Sequence, residues 1–306
     1  MPELPEVESI RRGLARRVRG DVIESVWLGE KPEPLKSPAP EIVAALEQAR
    51  IAAVRRVGKH IVFDLQSSKQ SAINSQRRPK QVPRSARNDN SKRWNGNSQR
   101  QAQWVVHLGM TGSLVIAHPG SEVARHTHAI VRLQSGRELR FVDPRRFGRL
   151  SVVRGRGGFA PGGQEPLGAG VRQFARLFHG RKTPIKSALL NQKLLRGVGN
   201  IYADESLWGA KIHPTALVKN ISSTKMKILF NELQYVLRLS IEKGGSTDKN
   251  YVDAEGKKGS YLSFARVFRR EGLPCPRCGT SIVKTRVASR GTHFCPKCQK
   301  LTGAKQ

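Results

Sequence analysis

A chain of 306 residues with 55 Lys and Arg against 23 Asp and Glu carries a formal charge of +32. That excess suits a phosphate-bearing partner, nucleic acid before anionic membrane. No apolar run approaches the roughly 18 residues of a membrane span, and the acidic start MPELPEVES is no secretory leader. A protein of the cytoplasm or nucleoid is expected, with no membrane partner.

Val7, Ile10 and Leu14 recur at helical spacing after Pro5 and predict a first helix. Strand-like runs follow in VIESVWL from Val22, IAAVRRV from Ile51 and HIVFDL from His60. From Gln66 to Gln103 the pattern breaks. This stretch holds nine Lys/Arg and one Asp with almost nothing apolar, and reads as a disordered basic insertion. Strands resume with WVVHL, SLVIAH, AIVRL, ELRFV and RLSVV. A Gly-rich linker at Gly155–Gly163 precedes helices expected over Gly170–His179, Pro184–Asn191, Asn200–Trp208 and Ser223–Lys243.

The tail carries Cys275-Pro-Arg-Cys278 and, after sixteen intervening residues, Cys295-Pro-Lys-Cys298. Each CxxC sets two thiolates on one turn, and two such turns complete a closed tetrahedral zinc site. One structural Zn2+ is expected, with a hairpin between the pairs that turns at Ser289–Thr292. Expected domains are 2–154 (with the insertion 66–103), 165–262 and 266–300. The elements read as an α+β multidomain chain: an amino-terminal β-rich domain, a helical domain and a short Cys-bearing ribbon.

Methionine before proline is normally removed, which makes Pro2 the terminal residue. An α-amino group titrates near 8, so part of it is neutral and nucleophilic at neutral pH. A secondary amine that attacks a sugar C1′ forms an iminium ion, an electron sink for phosphate expulsion. Glu3 and Glu6 stand close enough to move protons. The same residues also make an ordinary helix start, with proline and acidic residues in the first turn.

MPELPEVE, HLGMTGSL (107–114), DPRRFG (143–148), GVGNIYADE (197–205) and the Cys ribbon occur in this order. Together they resemble the bacterial formamidopyrimidine-DNA glycosylases, over nearly the whole chain. The resemblance implies a monomeric glycosylase and abasic-site lyase for double-stranded DNA with oxidised purines, its α+β fold an amino-terminal β-sandwich flanked by helices, a helix–two-turn–helix DNA-binding domain and a carboxy-terminal β-hairpin zinc ribbon. Pro2 takes the Schiff-base position and Glu3 the proton donor's. Lys59 matches the lysine assigned to β-elimination and Arg290 the finger arginine of δ-elimination. Met110, Arg145 and Phe147 match the wedge that fills the gap left by a flipped nucleotide. His107, His126 and Arg181 match DNA contacts. Asn200 is expected to cap the helix that follows it, and the free N–H groups there to hold a phosphate. Residues 244–262 match the lesion-recognition loop. Gly291 stands where a larger side chain is common, which predicts a looser Arg290.

Two rival readings are an endonuclease VIII-like glycosylase for oxidised pyrimidines and a non-catalytic zinc-ribbon DNA binder. MPELPE and the intact DPRRFG favour the purine enzyme, and the binder leaves Pro2, Glu3 and Lys59 unexplained. Deleting the basic insertion is expected to flatten the salt dependence of non-specific DNA binding. An unchanged slope of log Kd against log salt would remove the insertion from DNA binding.

Overall fold

The computed structural model describes residues 2–67, 102–155, 157–247 and 251–301. The central part of the basic insertion, 68–101, lies outside them. Two antiparallel four-stranded sheets face each other. The strands are β1 (Ile23–Leu28), β2 (Ala49–Val57), β3 (His60–Ser67), β4 (Ala102–His107), β5 (Ser113–Ala117), β6 (Thr127–Leu133), β7 (Glu138–Val142) and β8 (Arg149–Arg154). One sheet has the order β1-β6-β7-β5 and the other β2-β3-β4-β8.

Alternation along the strands turns Val131, Leu139 and Phe141 of one sheet and Ile61, Phe63 and Val106 of the other into a shared core. Helix α1 (Leu4–Val18) adds Val7, Ile10, Leu14 and Val18 to it. A short helix, α2 (Ala39–Leu46), adds Ile42 and Leu46. The sequence reading missed α2, which is only eight residues long and enters at Pro38.

The insertion is shorter than its composition suggests. Gln66 and Ser67 pair with Arg50 and Ala49, and Ala102 and Gln103 pair with Leu65 and Asp64. A ladder needs only backbone donors and acceptors, so polar composition does not end a strand. A deletion that spares the sheet therefore runs from 68 to 101.

The second core is helical. It is built from α3 (Val171–Phe178), α4 (Ile185–Leu190), α5 (Asn200–Gly209) and α6 (Ser223–Glu242). Phe174, Phe178, Leu189, Tyr202, Leu229 and Leu233 fill it. Leu4, in the first turn of α1, belongs to this core and not to the sandwich core. The amino terminus is thus clamped between two domains.

A second clamp lies beside it. Arg56, with a side chain only 8% exposed, meets Glu8 of α1 at 3.1 Å and Glu165 of the connector at 2.7 Å. Its Nη1 also donates to the Gly58 carbonyl at 3.1 Å. A buried ionic group of this kind fixes geometry more than it adds stability. Here it fixes the β2–β3 turn that carries Lys59. Glu165 also meets Arg196 at 3.4 Å, which pins the connector between the domains just ahead of a single helical turn at Pro166–Gly168.

The tail forms the hairpin β9 (Val283–Val287) and β10 (Arg290–Phe294). Its turn is Ala288–Ser289, both at positive φ (49° and 60°), as a two-residue turn of primed type demands. The expected turn at 289–292 is therefore displaced, and Arg290 opens strand β10 instead of lying in the turn.

Candidate active site

A cavity of about 400 Å³ opens where α1, the β2–β3 turn, α5 and the zinc hairpin converge. Pro2, Glu3, Lys59 and Arg290 all line it, as do Met110, Arg145 and Asn200. Phe147 lines an adjoining recess together with Arg145. His107, His126 and Arg181 do not line the cavity.

Glu3 owes its place to a glycine. A Cβ on Gly199 would come within 2.2 Å of the Glu3 carboxyl carbon and 2.3 Å of its Oε1. Only hydrogen at that position lets the carboxyl rest on the first turn of α5, where the Ile201 N–H donates to Oε1 at 3.4 Å. Gly197, at φ +94°, accepts from the Leu4 N–H at 3.0 Å and holds the two termini together. The helix start expected to bind phosphate is thus occupied by the protein's own carboxyl group. Gly199 is the N-cap, and Asn200 is the first helical residue with no capping role.

Burial dominates the titration of this group. Desolvation pushes the Glu3 carboxyl up to about 7, against a smaller downward pull from Lys59. Glu6 is also buried and raised by desolvation. Its Oε2 accepts from the Glu3 N–H at 2.8 Å, and its Oε1 accepts from Tyr202 Oη and from the Ser246 N–H. Tyr202 Oη further contacts Ser240 and Ser246, and Tyr251 Oη donates to the Glu6 carbonyl. This polar cluster joins α1, α5, α6 and the loop after α6. Tyr202, Ser240, Ser246 and Tyr251 were missed from sequence; the only local hint was the Glu-x-x-Glu spacing of a capping box.

Lys59 is 9% exposed, and burial lowers its pKa, opposed by Glu3 and Glu6. It lies at the turn between β2 and β3, held as described by Arg56. Arg290 is exposed on the cavity wall. The backbone beside it is fixed, contrary to the looseness expected at Gly291: that carbonyl accepts from Lys186 Nζ at 3.1 Å and Asn200 Nδ2 at 2.9 Å. Lys186 is fully buried against Asp204 at 2.7 Å, and Asp204 also accepts from the His293 N–H. The helical domain therefore grips the hairpin directly behind Arg290.

His107 Nδ1 accepts from the Gly109 N–H at 3.2 Å, which leaves its proton on Nε2. Burial and nearby cationic groups hold its pKa down to about 4. It can contact a phosphate as a neutral donor. Met110 and Phe147 are 41% and 51% exposed, and the Arg145 guanidinium lies 4.7 Å from the Phe147 ring centroid. His126 is exposed on the loop before β6. Arg181 is exposed after α3, with Nε on the Leu177 carbonyl at 2.7 Å.

The four cysteines place their sulfurs within 4.8 Å of one another, with Cys275–Cys298 at 4.0 Å and Cys278–Cys295 at 3.5 Å. Four thiolates about 2.3 Å from a tetrahedral zinc stand roughly 3.8 Å apart, so the donor set fits one structural Zn2+. The Cys298 N–H and the Trp208 indole N–H each point at a cysteine sulfur, Cys295 and Cys275 respectively.

Two outcomes are expected from this geometry. Gly199→Ala should displace Glu3 and abolish base excision while leaving zinc content intact; full activity would show that the contact can relax. The sign of the second follows from linkage. The folded state holds the Glu3 proton up to about pH 7, the unfolded chain only to about 4.5, so stability from this group falls as pH rises through that window. Glu3→Gln should therefore be more stable than the parent at pH 8, by up to about 3 kcal/mol, with the gap closed at pH 4. Denaturant melts at the two pH values check it, and equal gaps would refute the burial of an acid.

Known proteins match this architecture throughout. The family models for the formamidopyrimidine-DNA glycosylase N-terminal domain, the formamidopyrimidine-DNA glycosylase H2TH domain and the zinc finger found in FPG and IleRS match residues 1–150, 163–251 and 272–301. The formamidopyrimidine-DNA glycosylase of Herpetosiphon aurantiacus is 38% identical, with 98% of this chain and 100% of that protein aligned. Among solved structures, MutM (FPG) from Thermus thermophilus superposes with a TM-score of 0.77 at 35% identity, covering 98% of this chain and 99% of the other. A Lactococcus lactis FPG mutant in complex with Fapy-dG containing DNA superposes at 0.80 with 27% identity, covering 98% and 100%. Matched over both domains and the zinc ribbon, the chain belongs to the formamidopyrimidine-DNA glycosylase family.

Proposed function

We propose that this chain excises oxidised purines from double-stranded DNA and then cleaves the strand at the abasic site, with the Pro2 amine as nucleophile. The observation that carries the reading is that one cavity gathers Pro2, Glu3, Lys59 and Arg290 from three separate parts of the fold. The relatives support the substrate class: the Lactococcus lactis enzyme is known in complex with Fapy-dG containing DNA and with DNA containing an abasic site.

The chemistry follows from the groups. The neutral Pro2 nitrogen attacks C1′ of a flipped nucleotide as the bond to the base breaks, and the proton shed by the Pro2 nitrogen is taken up by the departing base. Glu3, protonated up to about pH 7 by its burial, donates a proton to the sugar ring oxygen as the ring opens. The product is an iminium ion between Pro2 and C1′. Loss of a C2′ proton then expels the 3′ phosphate, with Lys59 beside the reacting sugar. Arg290 forks across phosphate oxygens and assists departure of the second phosphate. Zn2+, when bound by Cys275, Cys278, Cys295 and Cys298, supplies the folding energy that a hairpin with so small a core lacks.

Met110, Arg145 and Phe147 fill the gap in the duplex: the two apolar side chains replace lost stacking, and Arg145 hydrogen-bonds the orphaned cytosine. His107, His126, Arg181 and Asn200 complete the DNA face, Asn200 by holding the Arg290 hairpin. Among the described residues no helix is long and apolar enough to cross a membrane, and a DNA-directed enzyme of this kind works at the nucleoid.

Borohydride should trap a covalent adduct on an 8-oxoguanine duplex and much less on a thymine-glycol duplex. A reversed preference would favour the pyrimidine enzyme, and no adduct on either would favour a non-catalytic binder. Trapping must disappear when any residue precedes Pro2. Glu3→Gln should bind the damaged duplex yet lose base excision by about a hundredfold or more, the scale of general acid catalysis; unchanged turnover removes Glu3 from the reaction.

A further inference from the structure

The residues assigned above to the wedge stand on two different turns, and both turns close on one buried side chain. Asp143 is fully buried. Its Oδ1 accepts from Thr111 Oγ1 at 2.5 Å and from the Arg145 N–H at 3.2 Å, and its Oδ2 accepts from the Gly148 N–H at 2.7 Å. Its own N–H donates to the His126 carbonyl at 2.9 Å, and its carbonyl oxygen lies 2.9 Å from His128 Nε2. Thr111 follows Met110. Arg145 and Gly148 bracket the turn that carries Phe147.

The two turns also meet backbone to backbone. A Cβ on Gly109, at φ +63°, would come within 2.5 Å of the Phe147 carbonyl carbon, and one on Gly148 within 2.4 Å of the Phe141 ring. Arg146 lies in the left-handed region at φ +57°, which a branched or long side chain rarely adopts. Its N–H donates to the Asp143 carbonyl at 3.2 Å, and its guanidinium meets Glu33 at 2.6 Å. The second turn is thus held in a tight, otherwise unfavoured shape from its first residue.

We propose that Asp143 is the positioning residue of the wedge, resting on the reading that Met110, Arg145 and Phe147 fill the duplex. It contacts no DNA. It locks the Met110 turn to the Arg145–Phe147 turn, and through His126 to the neighbouring loop, so that three insertions enter the duplex as one rigid body. Inserted groups work only when held to within about 0.5 Å. Two turns free to move apart would leave base flipping without a replacement for the lost stacking.

The test is Asp143→Asn, with Thr111→Val as the milder variant that removes only the bond between the turns. Each is assayed in single turnover on 8-oxoguanine paired with cytosine, and on the same lesion inside a mismatched bubble where the base is already unstacked. Asn keeps one acceptor but turns an amide toward backbone donors, so excision from the paired duplex should fall about tenfold to a hundredfold. Thr111→Val should fall less, and both defects should shrink in the bubble. A defect of equal size in the bubble would mean a general structural loss and overturns the proposal. So does normal excision by both variants when Met110→Ala and Phe147→Ala are slow. If those two wedge variants are also normal, the wedge reading fails and the proposal with it. Should Asp143→Asn not fold, as judged by zinc content and melting, the Thr111→Val comparison decides alone.

Discussion

The Glu3 carboxyl rests where only a glycine can lie beneath it, and much of the molecule is arranged to hold it there. It lies over the Cα of Gly199 at the start of α5, inside a cavity whose walls come from two domains and a metal ribbon. An acid in that place is desolvated enough to hold its proton near neutrality, which a carboxyl on a surface helix start cannot do. Keeping it there requires the terminus to be captured on both sides: Leu4 enters the helical core, while Val7 and Ile10 enter the sandwich core. The N–H groups at the start of α5, the buried Glu6 and the Lys59 ammonium then act on a group that is already immobile.

The features legible in sequence are those whose chemistry is local. Two CxxC pairs define a metal site by spacing alone, and the sulfurs lie where four thiolates around zinc belong. The short β-branched and aromatic runs from Ile23 to Arg154, parted by Gly, Pro and Asp turns, are enough to predict the β-rich domain because each strand's own residues carry the signal. Pro2 and Glu3 drew attention by their position, but their surroundings could not be read. Tyr202 and Ser246 reach Glu6 from 196 and 240 residues away, Ser240 bonds Tyr202 from behind, and nothing near Glu6 announces them.

The readings that shifted share one cause: a neighbour distant in sequence took the role expected of a near one. Asn200 looks like a cap, but Glu3 already satisfies an N–H of that helix, and its amide turns to Gly291 instead. Gly291 looks like a loose joint, yet Lys186 and Asn200 both hold its carbonyl. Gln66 and Gln103 look like loop residues because polarity, not pairing, is what composition reports. DPRRFG was legible as a motif, while the convergence of three segments on its first residue needed the fold.

Strand β3 joins two ends of the sandwich that share no function. Lys59 precedes its first residue at the cavity, and Ser67 closes it seven residue steps away, about 23 Å at the usual strand rise. Chain added beyond Ser67 and before Ala102 is therefore anchored far from the reacting sugar, on a hairpin end that no catalytic group uses. Lineages are free to lengthen or rewrite that end without disturbing the chemistry, and it offers an attachment point for a fluorophore or a second protein module.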